Sequence, residues 1–246
     1  ILVNNAGIIQ VGPIETMSLS DFEQSMGTMF WGTVYPTLAL LPDMLRRQSG
    51  RIVNITSIAG KVSVPHLLPY DCAKYAAVGF SEGLRAELNG RGVTVTTIVP
   101  GLMRTGSFLN ALFKGQHDKE FTWFALGASL PFISMDAERA ARQIVQALKR
   151  GSPVRILSVP ANVLARFHGL MPGTSASVIN RLGRLLLPPA PPGDGRDLLP
   201  GKRILEAMDG ALLRWLTGWG LSAARRFHEL PPPEVGPYGT RTSETV

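Results

Sequence analysis

One stretch constrains this chain more than any other: Arg51 to Leu88, RIVNITSIAGKVSVPHLLPYDCAKYAAVGFSEGLRAEL. Arg51 to Thr56 alternates and is rich in β-branched residues, the pattern of a buried strand. Ser57 stands at its carboxyl end, where open α/β sheets place their ligands. A loop with Gly60 and Pro65 follows, and a long helical pattern opens near Pro69 and Tyr70. Tyr70 and Lys74 are four apart, so they lie one turn apart on the same helix face. The spacing therefore brings a strand-end serine, a tyrosine and a lysine into one small volume.

That trio is suited to acid–base work. A free tyrosine has a pKa near ~10, too high for a base at neutral pH. An ammonium one turn away favours the phenolate and draws that value down. A serine hydroxyl can hold a substrate oxygen against the phenol, so the set could protonate a carbonyl that receives hydride or deprotonate an alcohol that loses it. Tyr-x-x-x-Lys alone is more often a solvated pair on a helix, and a lone serine more often a loop residue. Only the joint pattern points to chemistry.

Two further segments stand in order around it. Asn4-Asn5-Ala6-Gly7 follows the apolar Ile1-Leu2-Val3, and Pro100-Gly101-Leu102-Met103-Arg104-Thr105 follows the β-branched run Val93 to Val99. Together with Ser57 and Tyr70-Asp71-Cys72-Ala73-Lys74 they resemble the short-chain dehydrogenase/reductase family, firmly over roughly residues 1–150. The resemblance implies a Rossmann-like, doubly wound parallel α/β sheet and an oxidoreductase using NAD or NADP on a secondary alcohol or ketone. It implies Ser57, Tyr70 and Lys74 as catalytic residues. Lys74 also holds the nicotinamide ribose, Thr105 bonds the carboxamide, and Asn5, Ala6, Gly7, Tyr70, Pro100 and Gly101 line the cofactor. Asn4 and Asn54 read as ties between strands. The family's glycine-rich phosphate loop does not occur in this sequence, so the first βαβ units are expected upstream of Ile1.

One position departs from the pattern. A capping box at Ser20 and Glu23 is expected to open a helix that runs to about Arg47, kinked near Gly32 and Pro36. The family's catalytic asparagine, which supports a kink and a proton-relay water, falls in that helix at Met29. A thioether fills space but does not hydrogen-bond in that way. Two readings follow: an enzyme with another proton route, or a catalytically impaired binding or interaction protein that keeps the fold.

Residues 106–135 carry Phe108, Phe113, Phe121, Trp123, Phe124 and Phe132, and the family resemblance makes this the lid over the substrate. An aromatic lid suits a hydrophobic alcohol or ketone, or simply packs on the core. Pro65 to Leu68 are expected as the opposite wall, with His66 as a loop residue and Arg104 as a surface charge. A helix over 134–150, capped by Ser134, with Ala137, Ala140, Ala141, Ile144, Val145 and Leu148 inward, and a strand over 154–159 would complete a domain of residues 1–160.

Beyond lies an extension, 161–230, with two short helical patterns split at Pro172-Gly173, a linker over 191–201 and a third apolar face including Ile204, Trp215 and Trp219. A tail over 231–246, rich in proline, glycine, serine and threonine, is expected to be disordered. The net charge is +7, and residues 139–226 hold 14 Lys or Arg against four acids. Such an extension could pack on its own domain, on a second subunit or on an anionic membrane. No apolar run reaches the length of a spanning helix. Four scattered histidines and the single Cys72 give no metal site, and no nucleic-acid module accompanies the charge. Cys72 reads as a packing residue. A homo-oligomer, by family resemblance, and a cytoplasmic or membrane-peripheral location complete the expectation.

Overall fold

The computed structural model describes residues 1–208, 215 and 217–229. Its centre is a four-stranded parallel sheet in the order β1 (Leu2–Asn4), β3 (Gly50–Ile55), β4 (Val93–Val99) and β8 (Val154–Ile156), with the two-residue strands β2 (Gln10–Val11), β5 (Met103–Arg104) and β7 (Met135–Asp136) outside it. The strands are in register with Leu2 beside Ile52, Ile52 beside Val95 and Ile98 beside Arg155. Successive strand residues point to opposite faces, and both faces are covered. Ile52 packs with Met44 of α2 (Gly32–Arg46) and with Leu88, just past α3 (Leu68–Glu87). Its neighbour Val53 packs instead with Ala140 and Ala147 of α6 (Ala137–Arg150). This is the doubly wound Rossmann-like arrangement.

Side chains lock the strands. Asn4 donates to Asn54 at 2.8 Å and Asn54 to Ser81 at 2.9 Å, a buried chain from β1 through β3 to α3. The two asparagines are thus strand ties, as expected.

The first long helix differs in detail from its sequence reading. Ser18, not Ser20, opens α1 (Leu19–Ser25): its N–H at 2.7 Å and its hydroxyl at 2.8 Å both donate to Asp21. The kink lies ahead of Gly32, as one wide turn over Met26–Trp31 in which the Gly32 N–H reaches the Gly27 carbonyl. Pro36 offers no N–H within the helix, and the Thr33 and Thr37 hydroxyls donate to the carbonyls of Met29 and Thr33. Met29 sits inside this turn, 1% exposed.

The helix α6 also starts later than expected. Asp136, not Ser134, accepts the Arg139 N–H as its cap, and Gly151 ends the helix in the left-handed conformation. Ala140 and Ala147 face inward, whereas Ala141 and Val145 are exposed. Cys72 is exposed as well, not packed.

The lid region, 106–135, folds into α4 (Ser107–Asn110), β6 (Leu112–Phe113) and α5 (His117–Ser129). Phe108, Phe113 and Phe121 are fully buried and pack on each other, the last two edge to face at 5.5 Å. Truncating one such ring costs ~3–5 kcal/mol. Lys114 donates to Asp21 at 2.6 Å, a buried pair that ties the lid to α1. Burial alone would raise the Asp21 carboxyl, yet Lys114 and Ser18 hold it below its ordinary value. Residues after 160 divide into two parts. A hairpin of α7 (Val159–Leu170) and α8 (Pro172–Leu186) follows the sheet directly. Farther on, β9 (Leu199–Pro200) pairs antiparallel with β6, and α9 (Gly201–Ala207) and α10 (Gly218–Arg226) put Ile204 and Ala224 into the lid core. Part of the expected linker is therefore a strand, and Trp219 is exposed. The tail and Leu212, Leu216 and Leu230 lie outside the described residues.

Candidate active site

The site is assembled where the sheet ends. Thr56 donates from both N–H and hydroxyl to the Ile98 carbonyl, and the Ile58 N–H reaches the Pro100 carbonyl at 2.7 Å. These bonds fix Ser57 at the carboxyl edge of β3 in extended backbone. Gly60 then lets the loop lie against α3, since a Cβ there would stand 2.6 Å from the Lys74 carbonyl. Pro69 near the first turn suits the helix start, and the helical pitch carries Tyr70 and Lys74 to the same edge.

The structure brings Ser57, Tyr70 and Lys74 to one cleft of about 450 Å³. Ser57 Oγ accepts the Ala59 N–H at 3.1 Å, which leaves its own proton for the Tyr70 oxygen. The Lys74 ammonium lies 5.6 Å from the Tyr70 ring centroid and donates to the Ile55 carbonyl at 3.1 Å. Asn5, Gly7, Pro100, Gly101 and Thr105 line the same cleft, but Ala6 does not. Leu67 and Val64 supply one wall and Trp123 and Phe124 of α5 another, while Leu164 comes from α7.

Electrostatics differ from the sequence reading. Burial raises the Tyr70 phenol above its ordinary value, the Ser57 hydrogen bond opposes that, and nearby Asp71 adds to the rise. Lys74 is not among the causes. Burial instead draws Lys74 itself down to about 8. The expectation that the ammonium lowers the phenol pKa is thus reversed in sign, because desolvation outweighs the Ser57 hydrogen bond, the one cause that lowers it.

Three features were not anticipated. Asp71 is buried, accepts the Val64 N–H at 2.9 Å through one oxygen and has no partner for the other. Burial raises it to about 8, against the Val64 bond. Second, Glu120 of α5 is fully buried and receives His66 Nδ1 at 2.8 Å and Trp123 Nε1 at 2.8 Å. This clasp joins the loop before α3 to the lid, and no periodicity flags it. Third, Arg104 is no free surface charge: it donates to the Ser134 carbonyl at 2.6 Å. Thr105 accepts the Ser107 N–H at 3.2 Å and keeps its own proton to donate. Among the described residues no group of His, Cys, Asp and Glu could hold a metal ion.

The cleft's donors suit a nicotinamide riboside. Lys74 has three N–H donors, of which Ile55 takes one, and Thr105 retains a hydroxyl proton. The volume is that of a ligand pocket, ~300–1,000 Å³.

Fold and cleft together define a doubly wound α/β protein with a ligand cleft at the carboxyl edge of its sheet, and comparison with known proteins gives its family. The short chain dehydrogenase family matches residues 1–112. The Mycobacterium tuberculosis protein SadH is 34% identical over 171 residues, covering 68% of this chain and 61% of that protein. The Bos taurus dehydrogenase/reductase SDR family member 7B is 42% identical over 112 residues, covering 46% of this chain and 34% of its own length. A crystal structure of a short-chain dehydrogenase from Streptomyces avermitilis aligns with TM-score 0.62 at 28% identity, over 74% of this chain and 69% of that one. The chain belongs to the short-chain dehydrogenase/reductase family. It spans 61% and 34% of the lengths of those two curated relatives.

Proposed function

We propose that this chain carries the acid–base centre of an NAD- or NADP-dependent oxidoreductase that interconverts a hydrophobic secondary alcohol and a ketone. The convergence of Ser57, Tyr70 and Lys74 in a largely apolar cleft carries this reading. When bound, the nicotinamide supplies or accepts the hydride. Lys74 would hold its ribose hydroxyls and Thr105 its carboxamide. Ser57 donates to the substrate oxygen and holds it beside the phenol. Tyr70 gives its proton to that oxygen as it becomes an alcohol, or takes it back in the reverse direction. Burial raises the Tyr70 phenol above its ordinary value, so at neutral pH it holds the proton that ketone reduction needs. Apolar walls from Leu67, Phe124 and Leu164 select for hydrophobic substrates.

A second reading rests on Met29, which leaves the usual relay position without a hydrogen-bonding side chain. In it the fold is kept for binding alone. Reduced cofactor, as NADH and as NADPH, mixed with a panel of aryl and alkyl ketones separates the two. Loss of reduced-cofactor absorbance with any ketone supports the enzyme. Cofactor binding without turnover of any ketone or alcohol overturns it in favour of the second reading.

We also infer pairing of two copies through α2 and α3, a face on which Trp31 and Tyr35 stack at 5.3 Å and stay exposed.

A further inference from the structure

The α7–α8 hairpin leaves its outer side in the open. His168 Nδ1 lies 2.7 Å from the Ser175 hydroxyl, whose proton goes to the Pro172 carbonyl, so the two helices are clasped at the turn. Val159, Val163, Phe167 and Leu170 recur at spacings of four, four and three, one stripe down α7. All are exposed, Leu170 to 83%. Val178, Leu182, Leu185 and Leu186 repeat the pattern on α8, with Leu185 at 74%. Phe132, 93% exposed, stands beside them. It shares a hollow of about 330 Å³ with Val159, Arg139 and Arg155.

Charge selects the occupant. From Arg139 to Gly193 the chain has eight Lys or Arg and no Asp or Glu. Among the described residues Arg139, Arg155, Arg166, Arg181 and Arg184 form no ion pair. A second copy brought to this face would set arginine against arginine. Exposed aliphatic stripes flanked by arginine have the composition of helices that lie in a lipid interface. Among the described residues no helix is long and apolar enough to cross a membrane.

We propose that the α7–α8 hairpin and Phe132 dock this protein on an anionic lipid surface. The aliphatic side chains enter the headgroup boundary and the arginines meet lipid phosphates. The placement has a consequence for the cleft, which rests on the reading given under Proposed function. Ile133, Ser158 and Pro160 line both the outer hollow and the catalytic cleft. Docking thus sets the cleft mouth at the bilayer, where a hydrophobic ketone is concentrated.

The test is co-sedimentation of the full chain with sucrose-loaded vesicles, of phosphatidylcholine alone and of equimolar phosphatidylcholine and phosphatidylserine. Binding to the mixed vesicles, lost in molar salt, is the expected result. Replacing both Arg181 and Arg184 by Gln lowers that partition at least tenfold, since each near-surface cation contributes about fivefold. Leu170→Asp with Leu185→Asp abolishes it while the circular dichroism spectrum stays unchanged, both side chains being exposed. Equal binding to the two vesicle types, no binding, or binding that survives both double variants overturns the proposal. So does light scattering in which Leu170→Asp with Leu185→Asp splits a dimer. Binding is read without cofactor or ketone, so an inactive protein that docks refutes only the catalytic reading.

Discussion

Met29 and Lys74 converge on Gly7: a Cβ at that glycine would stand 3.7 Å from the Met29 sulfur and 3.8 Å from the Lys74 ammonium. A thioether thus lies behind Gly7, near a buried cation, at the position where the family resemblance places asparagine. The wide helical turn over Met26–Trp31 is present without that asparagine, and beside it the Thr33 and Thr37 hydroxyls donate to the carbonyls of Met29 and Thr33. The bend is therefore a backbone property here. What Met29 removes is a polar group beside Lys74.

Met29→Asn should restore that group. Steady-state turnover of the best ketone is expected to rise about tenfold, a fraction of the ~10²–10⁴ that proton transfer contributes. Because the site is buried, the same change should cost ~1–3 kcal/mol in urea unfolding. An unchanged rate would show that the proton already leaves by another path.

Tyr70→Phe removes the acid and keeps the ring. Turnover should fall ~10²–10⁴-fold, while cofactor affinity, measured by fluorescence quenching, changes little. In the wild type, alcohol oxidation should climb with pH toward the ordinary phenol value of 10.0 and beyond, since burial raises Tyr70. A plateau reached near neutrality would contradict the desolvation seen in the structure.

Asp71 sets a pH dependence of stability. Its folded value is raised from 3.8 to about 8, so the folded chain holds a proton that the unfolded chain has released. Stability is therefore greatest below about 4 and is lost as pH rises toward 8. Lys74 acts in the opposite direction, and only between about 8 and 10.5. Asp71→Asn cannot ionise. The variant should match the wild type near pH ~4 and exceed it by about 2 kcal/mol or more near pH ~8, read from paired thermal melts.

Much of this was written in the sequence, for a physical reason. Ser57, Tyr70 and Lys74 are placed by strand period and helix pitch, which are local rules, so their convergence follows from spacing. The same holds for the Asn4–Asn54 tie and for Gly151 at the end of α6. What escaped was set by neighbours distant in the chain. The sign of the Tyr70 shift depends on how much protein covers the phenol, which no helical wheel reports. Cys72 was misplaced because α3 turns that position to solvent. Ser20 and Ser134 were taken for caps where Ser18 and Asp136 do the capping, since only the strand–helix junctions choose between nearby candidates. The aromatic lid was sorted into core rings and cleft walls only by its packing on α9, far along the chain.

The clasp of His66, Glu120 and Trp123 shows how such a long-range contact could govern selectivity. Glu120 is fully buried, so its carboxyl depends on the two donors that reach it. His66→Ala leaves only Trp123 and should cost ~3 kcal/mol in urea unfolding, the scale for breaking a buried pair. Glu120→Gln should cost less, because the amide still accepts from Trp123. His66 also sits at φ 66°, in the left-handed region, where a side chain costs ~1 kcal/mol or more. His66→Gly loses the same pair but relieves that strain, so it should be more stable than His66→Ala by ~1 kcal/mol. Since Trp123 lines the cleft, both His66 variants should raise KM for bulky ketones more than they lower kcat. Equal stability of the alanine and glycine variants would remove backbone strain from the account. An unchanged KM would detach the clasp from substrate recognition.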